Sequence, residues 1–489
     1  MHFFTITTLT LVGCCWAGLT IRDETNVGND TAGACHYEYF NQKVDHSGKE
    51  NGTFTQRYSL NTDYYEPGGP VFWMQGSEGA DLGCITDYQA LAWAQEFKGA
   101  AVVLEHRYFG VSKPFGATDP AEQPEEFQFL TLDNVMEDAV AFVDSLRANL
   151  TGGRESKVII NGCSYPGWLT TLFRQNRPNT FWGAVSSSNP VEGWLTSEDK
   201  GRNYDYNNWL NNVYQQESFE AWSNIRTAYD ALKDRVESGD FSTLQTDFNT
   251  CDTPTAETAP LLYYYGGSIH GLAAQYNKKA VGVNPTPFPL QTALDIAVSE
   301  PDPIQLLNRT IWSWVEHLDI PCLGLEALGF SAAIVPAIEG PSFDYITSIK
   351  GTFCMQAGAG GYGNDTFFTF GPFDSTEVKV QTCKDAYGLT PSPADEMRVE
   401  YKYTRADLRN STRILWIGHE YDGTTAYAAR EPGVTLPSLS PDIDVSRFLF
   451  VPEGSHCEER SYPREDDKPS IKRVRAQTVE VIRGWLESA

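Results

Sequence analysis

The chain has 489 residues, 64 acidic against 37 basic side chains, and a formal net charge of −27. Its 41% apolar and 13% aromatic content supplies a large core and excludes disorder as the main state. The acidic surplus repels phosphate and so argues against nucleic acid as a partner; it suits either plain solubility or work in acidic surroundings, where carboxylates protonate and self-repulsion falls.

Residues Phe3 to Trp16 form an apolar run of secretory length, and Cys15-Trp16-Ala17 offers small residues at cleavage spacing. We expect a signal peptide over 1–18, hence a secreted protein or one of a vacuolar or lysosomal compartment. The competing reading, a membrane anchor, needs a longer run, and no later segment has about eighteen uninterrupted apolar residues. Loss of Cys14 and Cys15 with the leader leaves Cys35, Cys84, Cys163, Cys251, Cys322, Cys354, Cys383 and Cys457. This even number implies up to four disulfides, whose pairing the sequence leaves open. None is in CxxC spacing, which speaks against a zinc site, and neither metal nor cofactor is expected. Asn29, Asn51, Asn149, Asn308, Asn364 and Asn410 begin Asn-x-Ser/Thr sequons and are expected glycosylation positions.

Short runs apolar on both faces alternate with helical patterns through the first third of the chain. Val71 to Met74, Val102 to Leu104 and Lys157 to Ile160 read as buried parallel strands. Tyr88 to Phe97 reads as a helix stopped by Gly99. Val135, Ala139, Phe142 and Leu146 recur at helical spacing behind Thr131, an N-cap candidate. From 191 to 385 the composition turns to Tyr, Trp, Asn and Gln, with helical spacing at Ile225, Tyr229, Leu232 and Val236 and Pro/Gly-rich loops near 253–260, 282–290 and 356–363. Strand signals return at Arg413 to Ile417 and Arg447 to Val451, and an amphipathic helix runs from about Ser470 to Glu487. The expected fold class is α/β: an α/β-hydrolase-like core, mostly parallel with helices on both faces, built from 36–190 and 386–489 around a helical cap at 191–385. The cap aromatics Tyr263, Tyr264, Tyr265 and Trp314 are expected in the cap core rather than in a pocket.

The chemistry concentrates at three positions. Asn161-Gly162-Cys163-Ser164-Tyr165-Pro166-Gly167 follows a buried strand. A nucleophile elbow needs small residues there, because the chain turns sharply and exposes the Ser hydroxyl in strained geometry. The G-x-S-x-G pattern is missed by one position, since Pro166 stands where the last Gly would be; Pro in a first helical turn loses no bond. A Ser nucleophile needs a base, and the base an orienting acid. Asp422 and His456 each follow a strand in the order such sheets use. His106 precedes Ser164, His36 and His46 precede the core, and His270 and His317 fall in the cap. His419 is the rival, but it is too near Asp422 to occupy a separate loop.

Tyr39 to His46, Phe54 to Tyr58, Gly68 to Phe72, Gly76-Ser77-Glu78-Gly79, Glu105 to Gly110 and Phe129 to Asp133 precede the elbow in order. Together with the Asp422 and His456 loops, this set resembles the prolyl-carboxypeptidase and dipeptidyl-peptidase II family of serine peptidases. The resemblance covers about 36–190 and 395–489 and is vague across the cap. It implies an α/β-hydrolase core, peptide substrates and mostly cleavage after proline, by exopeptidases or by endopeptidases of the fungal prolyl type. Ser164 would attack the scissile carbonyl, His456 would carry the proton, and Asp422 would hold the imidazole. The backbone N–H of Tyr165 and a donor at Gly76-Ser77, assigned to Ser77, would form the oxyanion hole. Glu78 could receive a substrate amine. Two positions depart from the family: Asp422-Gly423-Thr424 replaces Asp-Pro-Trp, whose Trp walls the proline pocket, and Cys354-Met355-Gln356 replaces Cys-x-Glu. The rivals are another acyl hydrolase on this fold, such as an esterase or a vacuolar-type carboxypeptidase, and a non-catalytic binding protein.

Overall fold

The computed structural model of the chain describes residues 35–193, 205–278, 286–325, 340–349, 381, 384–390, 392–428, 437 and 440–488. The expected leader, Asn29, Asn364, Cys354, Cys383 and the loop at 356–363 lie outside them.

Eight strands form one sheet: β1 (Glu38–Lys43), β2 (Thr53–Asn61), β3 (Val71–Gln75), β4 (Ala100–Leu104), β5 (Val158–Cys163), β6 (Gly183–Ser187), β7 (Ile414–His419) and β8 (Arg447–Val451), in spatial order β1-β2-β4-β3-β5-β6-β7-β8. The pairs β1–β2 and β2–β4 are antiparallel, and every other pair is parallel. Every residue of β3, β4, β5 and β7 is buried, as expected of strands covered on both faces. Alternate residues serve opposite layers. Val71, Trp73, Val102, Ile160 and Trp416 pack under helices α2 (Leu132–Asn149) and α3 (Tyr165–Asn176). Phe72, Met74, Val103, Ile159, Leu415 and Ile417 pack under α1 (Gln89–Phe97) and the C-terminal helix. This is the expected α/β-hydrolase core, with its parallel strands drawn from both ends of the chain.

The helix ends show local chemistry. Thr131 caps α2 by accepting from the Asn134 amide. Lys98, not Gly99, takes the left-handed conformation that stops α1, at φ 55°. Gly99 is required for a different reason: a Cβ there would stand 2.5 Å from the Pro70 carbonyl oxygen.

Between β6 and β7 the chain builds a second core from α4 (Asp205–Glu217), α5 (Phe219–Ser238), α6 (Leu261–Gln275), α7 (Pro289–Ser299) and α8 (Pro303–Val315). Tyr263, Tyr265 and Trp314 are buried in it. A Cys251–Cys322 disulfide ties two of its loops. After β8, helix α9 (Pro469–Glu487) closes one face of the sheet with Ile471, Val474, Ile482 and Trp485. Among the described residues no helix is long and apolar enough to cross a membrane.

Candidate active site

The turn after β5 places Ser164 at φ 61°, ψ −132°, a conformation that non-glycine residues rarely adopt. Two glycines make the turn passable. A Cβ on Gly162 would stand 2.3 Å from the Pro166 carbonyl oxygen, and one on Gly167 would stand 2.6 Å from that of Ser187. The glycine shifted by one position therefore serves the approach of α3 to β6, while Pro166 sits in the first turn of α3 without losing a bond. The Tyr165 amide opens that helix, where no helical carbonyl can pair with it. Ser77 follows β3, the neighbour of β5. The Gly76 amide donates to the Leu104 carbonyl at 2.9 Å.

Asp422 lies just beyond β7 and is fully buried. Its Oδ2 stands 2.8 Å from His456 Nδ1 and accepts from the Thr424 hydroxyl at 2.7 Å, while Oδ1 accepts from the Thr424 amide at 3.0 Å. Burial alone would raise this carboxyl, but the His456 and His419 charges and the hydrogen bonds from His456 and Thr424 outweigh it and hold it below its ordinary value. His456 is itself buried, and the Tyr276 ring meets it edge to face at 5.7 Å. Cys163 and Cys457 are joined in a disulfide, so the residue before Ser164 is bonded to the residue after His456. The ring nitrogen of His456 and both sulfurs lie within 4.8 Å of one another. Elbow, acid and His456 thus converge at one end of the sheet.

The rival imidazole has other business. His419 ends β7 fully buried, with Nε2 2.7 Å from Glu459 and Nδ1 3.0 Å from the Ser188 hydroxyl. The Ser188 hydroxyl in turn accepts from the Cys457 amide. Burial would lower His419 and raise Glu459, but their mutual attraction overrides it: His419 is raised and Glu459 is pushed down to about 2. This ion pair braces the His456 loop from below. His106 is buried, with Nδ1 2.8 Å from the Arg107 carbonyl and Nε2 3.1 Å from the Tyr165 hydroxyl, and burial pushes it down to about 4.

Glu78 is 9% exposed, and its Oε2 finds no hydrogen-bond partner among the described residues. Burial raises its carboxyl, against the pull of His456 and Arg460. Burial also raises the Tyr165 and Tyr276 hydroxyls, and the Glu78 carboxylate adds to both, which places it in the electrostatic neighbourhood of the elbow and His456. Sequence reasoning missed Tyr206 of α4. Its ring lies over Gly423, where an added Cβ would stand 2.6 Å from a ring carbon, and its hydroxyl donates to Gln275. Gly423 is the signal that could have found it, since a glycine beside an acid leaves room for a neighbour's ring.

The chain matches the family described as serine carboxypeptidase S28 over residues 42–310. It is 33% identical to a lysosomal Pro-X carboxypeptidase of Pongo abelii over 461 residues, 92% of this chain and 88% of that one. The chain belongs to the serine carboxypeptidase S28 family. A 157-residue stretch is 37% identical to the Bos taurus lysosomal Pro-X carboxypeptidase, spanning 31% of each chain. A thymus-specific serine protease of Mus musculus is 23% identical over 464 residues, 89% of this chain and 84% of that one. Among solved structures, a proline iminopeptidase of Mycobacterium smegmatis covers 92% of this chain and 99% of its own at 13% identity, with a TM-score of 0.40.

This S28 chain is therefore a serine peptidase, and most of the signature that revealed it is structural. Arg107 donates to Asp138 at 2.7 Å through Nε and to the carbonyls of Lys43, Val44 and Phe129. His46 Nε2 stands 2.8 Å from the same Asp138. Glu105 accepts from Ser112, the Val111 amide and Arg57. Gln42 reaches Gln56, and Gln56 reaches the Glu105 carbonyl. The separated motifs are one hydrogen-bonded network that seats β1 and β2 on the sheet.

Proposed function

We propose that this S28 serine peptidase is a post-proline exopeptidase of the carboxypeptidase type, with Ser164 as nucleophile, His456 as general base and Asp422 as its orienting acid. The observation that carries the reading is the buried His456–Asp422 contact at 2.8 Å beside a strained serine elbow. The activity named for the full-length relative, Pro-X carboxypeptidase, supports the choice of end and of proline.

Ser164 Oγ attacks the prolyl carbonyl and gives its proton to His456 Nε2, whose other nitrogen is held by Asp422. The oxyanion receives the amides of Tyr165 and Ser77, each such donor worth about 2.7–4 kcal/mol. The tetrahedral adduct collapses, His456 returns the proton to the leaving amine, and water repeats the cycle on the acyl-enzyme. Tyr206 and Tyr276 supply the aromatic wall that the missing Trp would have given. Glu78 is the substrate-binding acid of the site: neutral, it donates to a substrate carboxylate, and ionised, it accepts from an amine.

The same reading places the chain in the secretory pathway, with a leader over 1–18, a core of 36–190 and 386–489 and a cap of 191–385. Asn51, Asn149 and Asn410 are exposed and Asn308 is half-buried on α8, which suits glycosylation best at the first three. A digest of a defined peptide library between pH 4 and 7, read by mass spectrometry with Ser164→Ala as control, tests the reading. Release of single C-terminal residues after proline supports it. Internal cleavage, removal of N-terminal dipeptides, or hydrolysis of esters alone would overturn it.

A further inference from the structure

Two loops carry the reaction, and a single covalent bond joins them. Cys163 and Cys457 are 294 positions apart in sequence, with Cα atoms 5.8 Å apart. The other ties of the His456 loop run to both the cap and the sheet. The His456 amide donates to the Gln275 carbonyl at 2.8 Å, Lys278 Nζ donates to the His456 carbonyl at 2.8 Å, and the Ser455 hydroxyl donates to the Asn277 carbonyl at 2.7 Å. On the core side, the Cys457 amide meets Ser188 at 3.0 Å, the His456 ring meets Asp422, the Tyr421 amide donates to the Gly454 carbonyl at 2.9 Å, and Glu459 pairs with His419 at 2.7 Å. The base is thus suspended between cap and sheet, and the disulfide is its covalent tether to the elbow.

We propose that the Cys163–Cys457 disulfide is a positioning element of the proton-transfer step: it fixes the base loop to the nucleophile elbow, and opening it lets the loop follow the cap, with reversible loss of turnover in a folded protein. This rests on the assignment of Ser164 and His456 above. The opening chemistry needs a dithiol reductant. Its thiolate attacks the sulfur of Cys457, which is half-buried, whereas Cys163 is fully buried. Cys163 leaves as a thiolate and takes up a proton. The second thiol of the reductant then displaces the Cys457 sulfur, so two electrons pass to the protein and the reductant leaves as a disulfide. A displacement of about 1 Å between reacting groups costs on the order of 100-fold in rate.

The test uses the full chain. Native protein is treated with dithiothreitol, the opened cysteines are identified by alkylation and mass spectrometry, and a Cys163→Ala/Cys457→Ala variant is prepared in parallel. For both, kcat falls roughly tenfold to 100-fold and KM stays within about twofold on a proline-containing peptide, with thermal unfolding still cooperative. Labelling of Ser164 by a fluorophosphonate slows with kcat. Reoxidation restores the native protein and leaves the double variant slow. A Cys251→Ala/Cys322→Ala variant starts at full activity and loses it on reduction like the native protein, which removes the cap disulfide as the cause, and the slow Cys163→Ala/Cys457→Ala variant assigns the effect to the bond at the elbow. Unchanged kcat with both thiols shown free, or activity lost only in step with unfolding, would overturn the proposal. If the double variant does not fold, the reduction and reoxidation arm decides. Labelling that persists in Ser164→Ala strikes the serine assignment, not the tether.

Discussion

Ser164 holds a strained backbone that only its surroundings can enforce, and those surroundings are small residues and a proline rather than a strict motif. Ser164→Ala should lower kcat by roughly 10⁶-fold with little change in stability, and Asp422→Asn by roughly 10⁴-fold, both read by single-turnover kinetics. Gly423 is the more specific test of the aromatic wall. Gly423→Ala puts a Cβ 2.6 Å from the Tyr206 ring, so the ring must move; KM for a prolyl substrate should rise several-fold while fluorophosphonate labelling of Ser164 is kept. The elbow, Asp422 and His456 were legible because each is a polar residue placed just after an apolar strand, in a fixed order. Tyr206 and His419 were not. Tyr206 reaches Gly423 from a cap helix far away in sequence, and His419 has the sequence position of a competitor for the base. Its burial against Glu459, visible only in three dimensions, makes it a brace.

At the scale of elements, five of the eight strands could be read because both faces are apolar. β1 and β2 escaped because their inward positions include Gln42 and Gln56, which are buried by bonding each other rather than by being apolar. β6 escaped because Gly183-Ala184-Val185-Ser186-Ser187 is too small and polar to register as a strand; α3 and α9 pack close to it for that same reason, with Trp485 filling the space above Gly183. The Arg107 network is the element-scale counterpart of the active site. Arg107→Ala leaves the buried Asp138 carboxylate with His46 alone among the described residues, and should cost about 3–5 kcal/mol in urea unfolding. Loss of activity should follow stability, not precede it.

For the molecule as a whole, pH acts through the buried ion pair as well as the net charge of −27. Glu459 is lowered to about 2, so its contribution to stability is present above its ordinary value and is lost as pH falls towards 2. His419 is raised, so its contribution is full below its ordinary value and is lost as pH rises through the raised one. Both are present together from about pH 4.5 to 6.5, and Tm should form a plateau there and fall on the alkaline side. Removing both charges with His419→Gln/Glu459→Gln should flatten that fall, whereas repulsion among surface carboxylates, which salt screens, would remain.

The order of the sheet has a consequence for how the polypeptide is made. β6 emerges from the ribosome with one edge open, and the strand that covers it, β7, follows only after the helices between them. At about 5–20 residues per second, synthesis of the 226 residues between β6 and β7 leaves the edge uncovered for about 11–45 s. The nascent chain therefore carries an open parallel edge and half of its reaction centre while the cap is translated. Cys163 waits through the same interval without its partner, because Cys457 follows it by 294 positions and comes after β7 and β8. Newly made protein is thus most exposed to mispairing and aggregation before β7 and the chain beyond it are translated, and a thiol oxidant acting too early could join Cys163 only to a wrong cysteine.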